Sequence, residues 1–201
     1  MFRKTAARCA LCAVIVLIAP AAALAHPGFA PHSGLESGFL HPLTGVDHLL
    51  AVITVGIFAA RVGRRGLWSL PVAFLMLMAV GGALGAAGVK LPFVEMMIAL
   101  SVVALGLAAA IPRQWPVAAA TLFVGAFAVF HGHAHGAELP SGVPAAPYVV
   151  GFMLATALLL LAGIALGAGL LRLEATRKRC MSQWVGLGIA VAGIGLAGAA
   201  I

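Results

Sequence analysis

Acidic side chains are nearly missing from this chain: five Asp and Glu stand against twelve Lys and Arg in 201 residues. All charged residues together make up 8%. A soluble domain carries about 25%, so this chain has too little polar surface to cover itself in water, and a free-standing soluble domain is excluded. Cysteine is scarce as well. Cys9 and Cys12 form a Cys-x-x-Cys inside an apolar leader, and Cys180 stands alone in a basic stretch, so no disulfide framework is expected. No Gly-x-x-x-x-Gly-Lys-Ser/Thr occurs, which argues against a bound nucleotide. The net charge of +7 comes from residues scattered between apolar runs, not from a basic stripe interleaved with aromatics, so nucleic acid is not an expected partner. No organic cofactor is expected either.

What is present is hydrophobic: 63% of the residues, with a mean hydropathy of +1.14. Residues 1–25 read as a cleavable signal peptide, with Arg3, Lys4 and Arg8 as the positive region, Cys9 to Ala19 as the apolar core and Ala23-Leu24-Ala25 before the cut. Residues 26–40, rich in Pro and Gly, read as an extended lead-in. Six apolar runs follow, near 41–60, 67–88, 92–111, 115–134, 147–171 and 183–200. Each is close to the roughly 20 residues a helix needs to cross the hydrocarbon core. The expected fold is therefore all-α: residues 26–201 form a single six-helix transmembrane domain in the lipid bilayer.

The connections orient it. Arg61, Arg64 and Arg65 follow the first run, Arg113 the third, and Arg172, Arg177, Lys178 and Arg179 the fifth, whereas the alternate connections hold only Lys90. Basic loops stay in the cytoplasm, so both mature termini are expected on the outer, periplasmic side of a bacterial inner membrane. Trp68, Trp115 and Trp184 each follow a basic loop, where interfacial anchors belong. Gly81/Gly85 and Gly163/Gly167 are small-residue pairs that let helices pack closely, and the sequence leaves room for a homo-oligomer.

This topology puts all seven histidines in the outer half. His41, Asp47 and His48 lie in the outer part of the first run, and His131, His133, His135 and Glu138 close the fourth. Ionisable groups cost about 2.5–3.5 kcal/mol each on insertion into lipid, so they mark an ion or substrate pathway. His131, His135 and Glu138 fall on one helical stripe, and His133 points away from it. His41 and His48 share a face of a continuous helix but stand about 10 Å apart along it. Asp47 is either a direct ligand or the partner that fixes an imidazole tautomer. Gly132 and Gly136 leave a bare face that another helix, the first by preference, can approach. Glu95, one turn below the outer surface, is a further ligand or a partner of Lys90. If the leader is cut, His26 can chelate through its amine and imidazole, or stand exposed with no role. Imidazole with carboxylate and no thiolate suits Ni²⁺, Co²⁺ or Zn²⁺ and argues against Cu⁺.

At these residues the chain resembles the HupE/UreJ family of nickel/cobalt permeases. His41, Asp47 and His48 match its H-x5-D-H motif. Phe130, His131, Gly132, Ala134, His135, Gly136 and Glu138 match its F-H-G-x-A-H-G-x-E motif, with His133 at a variable position. The resemblance implies secondary uptake of Ni²⁺ or Co²⁺ as substrate, supplying metalloenzyme maturation, with no enzymatic activity. Two other readings stand beside it: an intramembrane hydrolase that keeps an open Zn²⁺ position for water, and a periplasm-facing metal-binding accessory protein without flux of its own. Thr44, Thr54 and Ser101 are the hydroxyls available to an inward path.

Overall fold

The computed structural model describes residues 34–199 apart from Ser141, Lys178 and Arg179. The signal peptide, His26 and His32 lie outside the described residues. Among those described, every regular element is a helix. They are α1 (Gly34–Thr44), α2 (Val46–Val62), α3 (Gly66–Ala86), α4 (Val94–Ala110), α5 (Val117–Ala137), α6 (Ala145–Arg177) and α7 (Met181–Ala199). Four of them, α3, α5, α6 and α7, are long and apolar enough to cross a membrane, and α1 with α2 makes a fifth if the bent pair is one span. The third expected run forms α4, whose 17 residues are apolar but shorter than a full span. The described chain is thus an all-helical membrane protein with four or five spans by length and composition.

The entry to the first span differs from the expected extended lead-in. Residues 34–40 are helical, and His41 sits in the last turn of α1, not at the head of a new helix. Gly34 to Leu40 contains no proline, and its glycines serve packing. A Cβ on Gly38 would land on the Tyr148 backbone, and one on Gly151 would land on the Leu35 backbone, so α1 lies directly on α6. Pro42, read as a first-turn residue, falls inside α1, where its ring opposes the carbonyl four residues back and weakens the last turn. Thr44 Oγ1 donates to the His41 carbonyl at 2.7 Å. The chain then breaks at Gly45, which is extended (φ −83°, ψ 113°), and its carbonyl accepts the Leu49 N–H to start α2. The two axes differ by 81°.

Glycine contacts set the rest of the bundle. Added Cβ atoms on Gly81 and Gly85 would strike the backbone of Val129 and His133, and those on Gly132 and Gly136 would strike the backbone of Met78 and Gly82. The bare face of α5 therefore receives α3, whose own glycines complement it, and not the first span. Gly56 and Gly163 join α2 to α6, and Gly106 and Gly186 join α4 to α7, in the same way. The buried core between these pairs includes Phe58, Phe74, Met78, Leu105, Val124 and Leu160.

The bundle has two chemically distinct ends. At one, Arg61 donates to Ser182 Oγ and, at 3.4 Å, to the Ile111 carbonyl. Ser182 donates its backbone N–H and hydroxyl to Glu174 Oε1 at 2.6 and 2.7 Å. Arg61 is thus knitted to α4, α6 and α7, and is more than a charge that orients the chain. Trp68 and Trp184 are exposed near this end, but Trp115 turns inward against Phe58 and Phe123 and so does not act as a lipid-facing anchor. The described histidines gather at the other end.

Candidate metal centre

The first turn of α2 meets the last turns of α5. His48, on α2, is 1% exposed, as is His131 on α5. His131 and His135 are one helical turn apart and point the same way. The His135 ring stands between two others: its Nε2 is 3.1 Å from His48 Nδ1, and its Nδ1 is 2.9 Å from His41 Nε2. The bend at Gly45 makes this arrangement. On a straight helix His41 and His48 would be about 10 Å apart along the axis; here they approach one imidazole from separate helices.

Two groups of donors result. One ligand atom each from His48, His131 and His135 lies within 4.8 Å of the others, and so does one each from His41, His135 and Glu138. Bonds of about 2.0–2.1 Å from imidazole to a tetrahedral ion place donors about 3.3 Å apart. Binding then needs the rings to close in by up to about 1.5 Å. In the first group His48 and His131 are buried and His135 is half-buried; the second reaches the surface at Glu138, which caps α5 and is exposed.

Neighbours outside the two motifs fix the rings. Ser101 on α4 donates its single proton to the Ile98 carbonyl at 2.6 Å. Its oxygen, 2.7 Å from His131 Nε2, must therefore accept from that nitrogen. The lone pair of His131 then sits on Nδ1, which is buried with no protein partner. A buried polar atom left unpaired costs about 1–3 kcal/mol, which makes this nitrogen a ready donor to a cation. Thr156 Oγ1 lies 3.5 Å from His48 Nε2. Phe152 packs against the rings of His135, His48 and His41 at centroid distances of 4.8, 5.4 and 5.9 Å. Tyr148, the chain's single tyrosine, lies 5.9 Å from His41 with its hydroxyl buried and unpartnered.

The other sequence candidates fall outside both groups. Asp47 is half-buried, and its Oδ1 accepts the His48 backbone N–H at 2.7 Å. His133 Nε2 donates to the Val89 carbonyl at 2.6 Å, which ties α5 to the turn after α3. Glu95 is exposed on the first turn of α4. Of the three hydroxyls, Thr44 and Thr54 bond backbone carbonyls of their own segments, and only Ser101 reaches a histidine ring. Thr156, Phe152 and Tyr148 were not singled out by sequence; their one signal is a polar or aromatic residue on an otherwise aliphatic helix. Ser101→Ala removes the acceptor that sets the His131 tautomer. Loss of such an outer partner costs about 10–100-fold in metal affinity, and Ni²⁺ calorimetry on detergent-purified protein should show a drop of that size at unchanged helix content.

Residues 14–196 match the HupE / UreJ protein family. The chain is 45% identical over 153 residues to Protein HupE of Rhizobium leguminosarum bv. viciae, an alignment that covers 73% of this chain and 80% of that protein. No solved structure matches it.

Proposed function

This chain belongs to the HupE/UreJ family, and from that premise we propose that it is a secondary permease carrying Ni²⁺ or Co²⁺ inward across the bacterial inner membrane. The observation that carries this reading is the His48, His131 and His135 group, whose first two members are buried, continued outward by His41 and Glu138. Three clustered imidazoles, two of them buried, have no use for the fold that aliphatic side chains would not serve better, and their donor chemistry suits Ni²⁺, Co²⁺ or Zn²⁺. His41, His48, His131, His135 and Glu138 are the ligands; Asp47 holds the head of α2 through the His48 N–H. His133 and Glu95 are outside the ligand set. In this reading residues 1–25 are removed, and residues 26–201 form the transport domain with His26 at its outer terminus.

Orientation follows from charge. The basic connections face the cytoplasm, which puts the histidine end in the periplasm, where the ion arrives. A 2+ ion moving inward gains about 4.6 kcal/mol per 100 mV of inside-negative potential, about 2.3 for each charge. That is roughly three decades of accumulation, so no nucleotide is needed. The chain then supplies nickel or cobalt to metalloenzyme maturation in the cytoplasm.

The test is labelled Ni²⁺ uptake into proteoliposomes holding only this protein, with and without an imposed potential. Uptake should rise steeply as the interior is made negative, with Co²⁺ competing. Stoichiometric binding with no flux under any potential would overturn the permease reading in favour of a metal-binding accessory protein.

A further inference from the structure

We propose that the centre holds two successive ion positions, one on each ring nitrogen of His135, which serves them in turn. This rests on the permease reading and deepens it. The two donor groups share one residue, His135, and they lie on opposite edges of its ring: Nδ1 faces His41, and Nε2 faces His48. A neutral imidazole has a single lone pair, so His135 ligates at one edge at a time. Two divalent ions flanking one ring would also repel each other strongly in a site this dry.

The positions differ in a way that gives them an order. The outer one, with His41, His135 and Glu138, offers an exposed carboxylate, suited to capturing a hydrated ion and exchanging its water stepwise. The inner one, with His48, His131 and His135, offers nitrogen only, and two of its three rings are buried. Its His131 lone pair is already set on Nδ1 by Ser101. Thr156 and Phe152 complete its wall, and Phe152 touches all three rings that bracket the step. An ion crossing from Nδ1 to Nε2 leaves its carboxylate behind and gains a third imidazole, while the ring changes tautomer. Nε2 gives its proton to the ion's hydration water as the ion arrives, and Nδ1 takes one back from that water once the ion has left.

The experiment uses Co²⁺ as a coloured probe on the purified full chain in detergent, with visible absorption and X-ray absorption as readouts. Wild type should bind one equivalent. His131→Asn should leave the ion in the outer position with two imidazoles and a carboxylate, and Glu138→Gln should leave it in the inner position with three imidazoles and no carboxylate. His131→Asn should bind at least about tenfold more weakly than wild type, whereas Glu138→Gln, which leaves the inner ligands intact, should bind close to wild type. His135→Asn should weaken binding more than either. His48→Asn and His41→Asn repeat the pair from α2 and α1, so one misfolded variant does not decide the result. Identical spectra from the inner and outer variants, or two equivalents bound at once in wild type, would overturn the two-position scheme while uptake by wild-type proteoliposomes continued. Two distinct spectra without uptake would leave the scheme standing and sink the permease.

Discussion

Replacing His135 by Ala should reduce Ni²⁺ uptake by at least a hundredfold, more than any other single histidine substitution. The reason is its position between two rings. Its Nδ1 meets His41 and its Nε2 meets His48, so truncation removes a ligand from both donor groups together. His48 and His131 each belong to one group, and so do His41 and Glu138. Loss of a ligand that both groups need leaves two donors in each, too few to strip water from a divalent ion. The substitution also costs stability, because His48 Nδ1 and His41 Nε2 lose their partner in a half-buried setting, at about 1–3 kcal/mol for a group left unpaired. The two effects separate experimentally. A melting curve reports the second, and initial uptake rates from vesicles containing equal amounts of folded protein report the first. If the folded His135→Ala protein took up Ni²⁺ at more than a tenth of the wild-type rate, the ring would not be a shared ligand.

Gly132→Val should be the most damaging substitution to the fold. A Cβ at Gly132 would lie on the Met78 carbonyl and 2.9 Å from the Gly82 nitrogen, and both are backbone atoms of α3. No side chain can rotate away, so α3 and α5 must separate along the face that holds them closest. Overpacking costs about 1–3 kcal/mol when side chains can absorb it, and this site lies at or beyond the top of that range. At about 2–4 °C per kcal/mol for a chain of this size, the melting temperature should fall by about 10 °C, or the folded protein should be lost on extraction. Gly169→Val is the control. Its Cβ would meet nothing within 4 Å, and the melting temperature should stay near wild type. Equal effects from both would mean that the α3–α5 contact does not hold the bundle together.

These two residues also mark what could be read in advance. The helical stripe of His131, His135 and Glu138 is legible because a 3.6-residue repeat fixes which side chains share a face wherever the helix ends up. The apolar runs are legible because a chain with so few charges must bury its backbone polar groups in helices. His133 off the stripe follows from the same repeat, and its bond to the Val89 carbonyl agrees with it. The partner across Gly132 was not legible. A bare glycine face says that a backbone will come close, and only the matching glycines at 81, 82 and 85, read as a pair of surfaces, say that it is α3. The break at Gly45 was hidden for a different reason. Both sides of it are helical, so the hydropathy pattern runs straight through, and the 81° turn depends on α1 finding a seat against Tyr148 and Gly151. Ser101 stood out as a hydroxyl in an apolar helix, but its partner was set by how α4 packs on α5.

Asp47 illustrates the limit of spacing. Its place beside His48 is compatible with ligation or with orientation. Its carboxylate oxygen accepts the His48 N–H and lies in neither donor group. Asp47→Asn keeps an oxygen acceptor at that position and should therefore keep most Ni²⁺ binding, whereas Asp47→Ala should lose the head of α2 and bind several-fold more weakly.

The most direct measurement of the central claim is nickel X-ray absorption on the purified, Ni²⁺-loaded protein, with the imidazoles counted from their outer-shell scattering. At one equivalent, three imidazoles should surround the ion, and His48→Asn and His131→Asn should each lower that count. A shell of oxygen alone, unchanged in both variants, would contradict the histidine centre and with it the path drawn through α2 and α5.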